Sequence, residues 1–349
     1  MAEFHQRLRS TRRLPDRHAR PPAGELTTCS VLTFVEMRAI NRDMALIGMF
    51  KGKGANGFGY NSTAQEVTQG LDLSGKTYLV TGCNSGLGLE TLRILGLRGG
   101  HVIGAARTVD KASAALQVHR TSGTPVACDL ADPASIRACV QSVQELGKPI
   151  DALIGNAGIM ALPKRQTIHG YEAQFFTNHV GHFILVTGLL DTLTDNGRVV
   201  MVSSAAHSRA PKAGIVFDDL AAEKHYSSFG AYGQSKLANL LFARHLAKRL
   251  NGTRRTANAL HPGVIRTNIA RHLFPGAELA MAGLTPLLLK NTEQGAATQC
   301  YLATHADVEG ISGKYFADCN PATTTKNGAD MTMAARLWEV TEYVIRDLG

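Results

Sequence analysis

Tyr232 and Lys236 stand four residues apart in the run AYGQSKL. On a helix that spacing puts both side chains on one face, one turn apart. An ammonium beside a phenol favours the phenolate, lowering a pKa that is about 10 when unperturbed. A tyrosine tuned in this way can exchange a proton with an alcohol or carbonyl oxygen near neutral pH. Upstream, Ser203-Ser204 close an apolar run, and a serine hydroxyl there could hydrogen-bond the same oxygen as charge develops on it. Alone, a Tyr-x-x-x-Lys spacing is also what chance leaves on the solvated edge of an amphipathic helix.

Residues 76–88, KTYLVTGCNSGLG, form a second constellation. Tyr78-Leu79-Val80 has the character of a buried parallel strand. The chain then turns through Thr81-Gly82 and enters an apolar-periodic helix at Leu87-Gly88-Leu89. Backbone N–H groups and a helix dipole meet at such a turn, where they can receive a phosphate. Gly82, Gly86 and Gly88 are spaced G-x-x-x-G-x-G rather than G-x-G-x-x-G. A tight strand-to-helix turn would need glycines in any case.

The elements that must position these groups alternate along the chain. A short helix over 62–70 has Ser62 or Thr63 as N-cap, Glu66 at capping-box distance and Gly70 as stop. After the glycine turn come a helix ending at Gly99-Gly100, a strand over 101–106, a helix over 110–120 and a strand over 124–127. Asp132-Pro133 opens the next helix, with Asp as cap and Pro in the first turn, and Gly147 ends it. A strand over 150–155, a long helix over 170–193 and a strand over 198–202 follow. Beyond a polar loop at 205–230 lie a helix over 231–250, a strand over 256–260, a helix over 292–304 and a strand over 313–316. Seven strands alternating with helices predict an α/β fold: a doubly wound, mainly parallel seven-stranded sheet of the Rossmann kind. Ligands bind such sheets beyond the carboxyl ends of the strands, near the switch point.

In domain terms, residues 1–43 read as a disordered or artefactual leader and 44–70 as a short lead-in. A single catalytic domain covers 71–320. Residues 321–349 form an extension whose amphipathic helix, 334–345, packs on the body. The formal charge of the 349 residues is +9, but six arginines against Glu3 and Asp16 crowd the first 22 positions. The remaining charge forms no basic stripe interleaved with aromatics, so no nucleic-acid partner is expected. Cys29, Cys83, Cys128, Cys139, Cys300 and Cys319 include no C-x-x-C pair and read as free buried thiols. His179 and His182 lack a third ligand, so no metal site is expected. No run is long enough for a membrane span. The leader has no apolar core for secretion, and a cytoplasmic enzyme is expected.

With these motifs in their elements, the chain resembles the short-chain dehydrogenase/reductase family over roughly residues 71–320. Thr81, Gly82, Gly86 and Gly88 match its glycine motif. Asn156-Ala157-Gly158 match its N-N-A-G turn, with Gly155 in place of the first Asn. Asn178, Ser204, Tyr232 and Lys236 match its catalytic positions, and Pro262-Gly263 its turn after the sixth strand. NSGLGLET, YGQSKLANLLFA and LHPGVIRT most resemble the group holding retinol dehydrogenases, WW-domain-containing oxidoreductase and protochlorophyllide reductase-like enzymes. No WW module is visible.

The resemblance implies an oxidoreductase interconverting an alcohol and a carbonyl by hydride transfer. Tyr232 would be the general acid and base, Ser204 would polarise the substrate oxygen, and Lys236 would lower the tyrosine pKa and hold the nicotinamide ribose. Asn178 would keep a water linking Lys236 to solvent. Thr81, Gly82, Asn84, Ser85, Gly86, Leu87 and Gly88 would hold the cofactor, with Gly86 and Gly88 admitting its pyrophosphate. Asp129 and Leu130 would flank the adenine, and Asn156, Ala157 and Gly158 would continue the site. Pro262, Gly263, Val264 and Thr267 would meet the nicotinamide carboxamide and phosphates.

An NAD site usually carries an acid at the end of the second strand. Here Ala105-Ala106-Arg107-Thr108 carries none, which favours NADP(H) through Arg107 and a 2′-phosphate; Arg107 stacking on adenine would leave dual specificity. The apolar stretch 273–289 reads as a lid for a lipophilic small molecule, or equally as a packed helix or subunit contact in a homo-oligomer. A cofactor-binding scaffold or redox sensor without turnover, or dehydratase or epimerase chemistry on the same fold, are the competing readings.

Overall fold

The computed structural model describes residues 52–265 and 290–348. The leader 1–43, Cys29, Thr267 and the apolar stretch 273–289 lie outside the described residues. A capped turn of helix, α1 (Ala64–Val67), leads to β1 (Thr77–Thr81), with the capping box formed by Thr63 and Glu66. Then follow α2 (Gly86–Leu97), β2 (His101–Ala106), α3 (Val109–Val118), β3 (Gly123–Ala127), α4 (Pro133–Glu145) and β4 (Ile150–Gly155). A small hairpin, β5 (Thr167–Ile168) and β6 (Tyr171–Glu172), precedes α5 (Ala173–Phe175), a π-helical turn (Phe176–Val180) and α6 (Gly181–Gly188). The second half holds β7 (Leu193–Val202), α7 (Ser228–Arg249), β8 (Thr256–His261), α8 (Thr292–Thr304), β9 (Tyr315–Ala317), β10 (Asn320–Pro321), α9 (Lys326–Ala329) and α10 (Met331–Asp347).

The main sheet runs β3-β2-β1-β4-β7-β8-β9-β10. Seven strands are parallel, as the alternation predicts, and the two-residue β10 adds an antiparallel eighth at the edge. The order reverses between β1 and β4, which sets the switch point beside the glycine turn. Pro125 and Pro321 both sit in edge strands, where a missing N–H leaves no ladder bond unmade. Strand residues alternate between two buried faces. Tyr78, Val80, Ala152, Ile154, Val200, Val202, Leu260 and Phe316 share one core with α1, α2, α3 and α8. Leu79, Ile103, Leu153, Val199, Met201 and Ala259 alternate with them and are equally buried.

Two expectations need correction. The helix over 170–193 is broken into the hairpin, α5, the π turn and α6, because Gly170 takes φ +84 in the hairpin turn and the backbone widens at Phe176. Likewise Asn196-Gly197 do not precede the fifth parallel strand but bulge within it. Pairing jumps from Ile150↔Leu193 to Ala152↔Arg198, so the intervening residues loop out of the ladder. After β10 the chain returns across the body: Leu337, Trp338, Val340 and Val344 of α10 are buried, and Trp338 stacks on Phe242 of α7 at 5.6 Å and 12°.

Candidate functional site

At the end of β1 the chain turns through Gly82 (φ +65) and Gly86 (φ +54), conformations that favour glycine. Around an ideal Cβ on Gly86 there is nothing within 4 Å. At Gly88 a Cβ would collide with Gly82 O and lie 2.5 Å from Asn156 Nδ2. Gly86 thus leaves open space, whereas Gly88 lets α2 press against the strand ends, a packing role rather than the approach to a pyrophosphate the sequence suggests. Ser85 occupies the N-cap of α2 without a side-chain cap bond, and no acid lies in the first turn. The first N–H groups of α2 are thus left without a side-chain cap, with the positive end of the dipole behind them. That donor set fits a dinucleotide phosphate.

The turn after β4 is tied to this loop. Thr81 Oγ1 accepts from Asn156 N and Ala157 N, both at 2.9 Å, and Asn156 Nδ2 donates to Thr81 O at 2.8 Å. Gln299 of α8, fully buried, donates to Thr91 Oγ1, to Leu87 O at 3.3 Å and to Asn156 Oδ1 at 3.4 Å. At the neighbouring strand ends, Arg107 is exposed and forms no ion pair with a described residue, while Asn84 and Ser85 are exposed in the loop. The Asp129 carboxylate accepts from Ala131 N at 3.0 Å, and Leu130 is buried.

On the other side of the switch point, Ser227 caps α7 through Gly230 N, which sets Tyr232 and Lys236 one turn apart. Gly233, between them, has no room for a Cβ: it would lie 2.6 Å from Ala206 O and 2.7 Å from Ala210 N. That close approach brings Tyr232 against Ser204, which caps the 3-10 turn Ala205–Arg209. Ser204 Oγ accepts from Ala206 N at 3.1 Å and its side chain hydrogen-bonds the Tyr232 phenol. Lys236 Nζ lies 5.8 Å from the Tyr232 ring centroid and donates to Val202 O at 3.0 Å; Ser203 Oγ donates to Lys236 O at 2.7 Å. Asn178, in the π turn, accepts from Ile159 N at 2.8 Å and donates to Ile159 O and Ser235 Oγ, each at 2.9 Å. A Cβ on Gly158 would stand 3.0 Å from Asn178 Oδ1 and 3.3 Å from Lys236 Nζ, so the missing side chain leaves both groups facing the turn.

Here the electrostatics differ from the expectation that Lys236 lowers the tyrosine pKa. Burial pushes Tyr232 up to about 12, with the Ser204 hydrogen bond pulling the other way. Burial also brings Lys236 down to about 8. Desolvation wins because the ammonium is held at a backbone carbonyl and not at the phenol oxygen.

Pro262, Gly263 (φ +94) and Val264 follow β8. Beneath them lies Lys290, which sequence reading passed over. Its N–H donates to Val264 O at 2.9 Å, its stem occupies the space a Gly263 side chain would need, and its Nζ pairs with Asp318 Oδ1 at 2.6 Å and sits 4.8 Å from the Tyr60 ring. His207 was also missed: Nδ1 donates to Ser204 O at 2.8 Å and Nε2 accepts from Thr325 N at 3.4 Å. Its place three residues after Ser204 was the only local signal. The structure therefore gathers Asn178, Ser204, Tyr232 and Lys236 on one side of the cleft. Thr81, Gly82, Gly86 and the 156–158 turn line the other, with Arg107, Asp129 and Leu130 at the outer strand ends. Among the described residues no three His, Cys, Asp or Glu side chains gather as a metal-binding group.

An open parallel sheet with a glycine turn and an uncapped helix at its switch point is the architecture of a Rossmann-type nucleotide-binding domain. The family model described as short chain dehydrogenase matches residues 76–278, and the chain belongs to that family, in its retinol dehydrogenase-like group. Short-chain dehydrogenase TIC 32 B, chloroplastic, of Brassica napus is 41% identical over 320 residues, 87% of this chain and 100% of that protein. Retinol dehydrogenase 14 of Homo sapiens is 38% identical over 297 residues, 78% of this chain and 87% of that protein. Among solved structures, an uncharacterized protein from Mycobacterium Paratuberculosis matches with a TM-score of 0.66 at 35% identity, over 80% of this chain and 97% of that one.

Proposed function

We propose that this enzyme interconverts a lipophilic alcohol and its aldehyde or ketone with NADP(H), using Tyr232 as the proton donor and acceptor. The observation that carries the reading is the convergence of Ser204, Tyr232 and Lys236 at the end of β7, facing the turn that Asn178 braces. The bound nicotinamide would supply the redox chemistry. With its pKa near 12, the Tyr232 phenol keeps its proton at neutral pH and is a donor to a carbonyl oxygen. Ser204 Oγ accepts from Ala206 N–H and hydrogen-bonds the Tyr232 phenol, so a carbonyl oxygen that reaches one of the two hydroxyls reaches the other. Lys236 has one N–H committed to Val202 O, which leaves two for the nicotinamide ribose. In alcohol oxidation Tyr232 must first ionise, so that direction should quicken as pH rises.

Arg107 at the end of β2, with no acid beside it, supports the 2′-phosphate preference. Arg107→Asp should weaken NADPH by about ten- to a hundredfold, the worth of a charge-assisted hydrogen bond, and NADH little. Equal losses in a fluorescence titration would remove that argument. The names of the retinol dehydrogenase relatives support a lipophilic substrate. A panel of aldehydes, ketones and retinoids with NADPH and NADH, followed by cofactor absorbance, tests the whole reading; no turnover across the panel would overturn it. A cytoplasmic site is part of the same proposal, with a plastid the competing compartment given the chloroplastic relatives; a fluorescent fusion of the full chain decides between them.

A further inference from the structure

His182 is the second residue of α6, and its ring is completely enclosed. Its Nδ1 lies 2.8 Å from Asn178 O, and its Nε2 lies 2.9 Å from Thr81 Oγ1. A carbonyl can only accept, so Nδ1 carries the proton. Burial, reinforced by the Lys236 charge, brings His182 down to about 4 against the opposing Asn178 bond, so the ring is neutral and Nε2 must accept. The Thr81 hydroxyl then donates to Nε2 and turns both lone pairs toward Asn156 N–H and Ala157 N–H. Ile154 O, 3.4 Å from Thr81 Oγ1, is the longer alternative acceptor for that hydroxyl proton, and His182 Nε2 the nearer one. The ring fits because Gly155 has no side chain: a Cβ there would lie 3.1 Å from His182 Cδ2 and 2.7 Å from Met201 Sδ. Gly181, just before it, is equally pressed against Leu130 O.

We infer that His182 is a positioning residue that joins the two halves of the site, setting the Thr81 hydroxyl that holds the cofactor-side turn and anchoring the π-turn carbonyl of Asn178. Asn178 in turn reaches Tyr232 through Ser235, whose Oγ donates to Tyr232 O at 2.8 Å. This inference rests on the proposed oxidoreductase reading for its turnover arm, and not for its binding arm.

The test is His182→Leu in the full chain, compared with Thr81→Val and the double variant, well below their melting temperatures. His182→Leu should lower kcat and weaken NADPH by about tenfold or more each, as small misplacements do. The carbonyl KM should stay within about threefold, a split that lost packing alone would not produce. The double variant should lose less than the sum of the two singles, since both break one network. Values within about twofold of the parent, or fully additive losses, would overturn the inference. Long-range ¹H–¹⁵N spectra of the unaltered protein give an arm independent of folding: the Nδ1–H tautomer is expected, and Nε2–H would refute it. If no carbonyl is turned over, the functional reading fails while the NADPH affinities and the tautomer still decide the role of His182.

Discussion

The glycine-turn side of the cleft and the tyrosine side are built in opposite ways. On the first, function comes from what is missing: Gly82, Gly86 and Gly88 lack side chains, and Ser85 leaves the start of α2 uncapped. On the second it comes from what is enclosed, since Asn178, His182, Ser235 and Lys236 are all buried and each has a hydrogen-bond partner. An open turn lined by backbone donors adapts to an anion with little reorganisation. A dry polar network holds its groups in one geometry and shifts their proton affinities, as Tyr232 and Lys236 show. Under the proposed function, binding and proton transfer would be separated in space and separable by substitution.

The largest effect should come from Tyr232→Phe. It removes the transferable proton and leaves the glycine turn intact, so kcat should fall by about a hundred- to ten-thousandfold while NADPH affinity is kept. Single-turnover rates beside a binding titration would show this, and unchanged turnover would break the division between the two sides. Within the glycine turn the contrast is between crowding and strain. Gly88→Ala forces a Cβ against the Gly82 carbonyl and should cost about 2–3 kcal/mol of stability. Gly86→Ala meets no atom but keeps a left-handed backbone, so about 1 kcal/mol is expected. Thermal or denaturant melts would rank them, and the reverse order would refute the packing role of Gly88.

A further effect concerns pH. Lys236 loses its proton near pH 8 in the folded chain, whereas an unfolded lysine does so near about 10.4. Between those values the unfolded chain binds more protons, so this residue makes stability rise with pH across that window and contributes a constant penalty below it. Lys236→Met should abolish that rise, which calorimetry of both proteins at pH 7.5 and 10 would read as a changing difference in stability. A difference independent of pH would place the charge in a wetter setting than the structure gives it.

Much of this was legible from local pattern. Thr63 with Glu66 and Asp132 with Pro133 mark helix starts because caps bind their own neighbours. The Tyr232–Lys236 pair and the glycine spacing are likewise readable, since a helix turn or a tight loop makes them contacts. The break at Phe176 and the bulge before Arg198 were not: Asn196-Gly197 look like an ordinary turn between elements, and only pairing with β4 and packing under α7 decide where the backbone departs. Lys290 looks like any surface lysine in sequence; Asp318, its partner, is 28 positions away and reaches it only in the folded chain.

By itself, then, the order of residues determined the strand–helix alternation, the glycine turn after the first strand and the Tyr232–Lys236 pair that the proposed function uses, all of which depend on neighbours a few positions apart. Tertiary structure decided which glycine is open and which is packed, the direction in which Tyr232 and Lys236 titrate, and the bond from Thr81 through His182 to Asn178. Those are properties of enclosure: they arise when segments about a hundred residues apart exclude water from one another, and no local spacing encodes how dry a group will be.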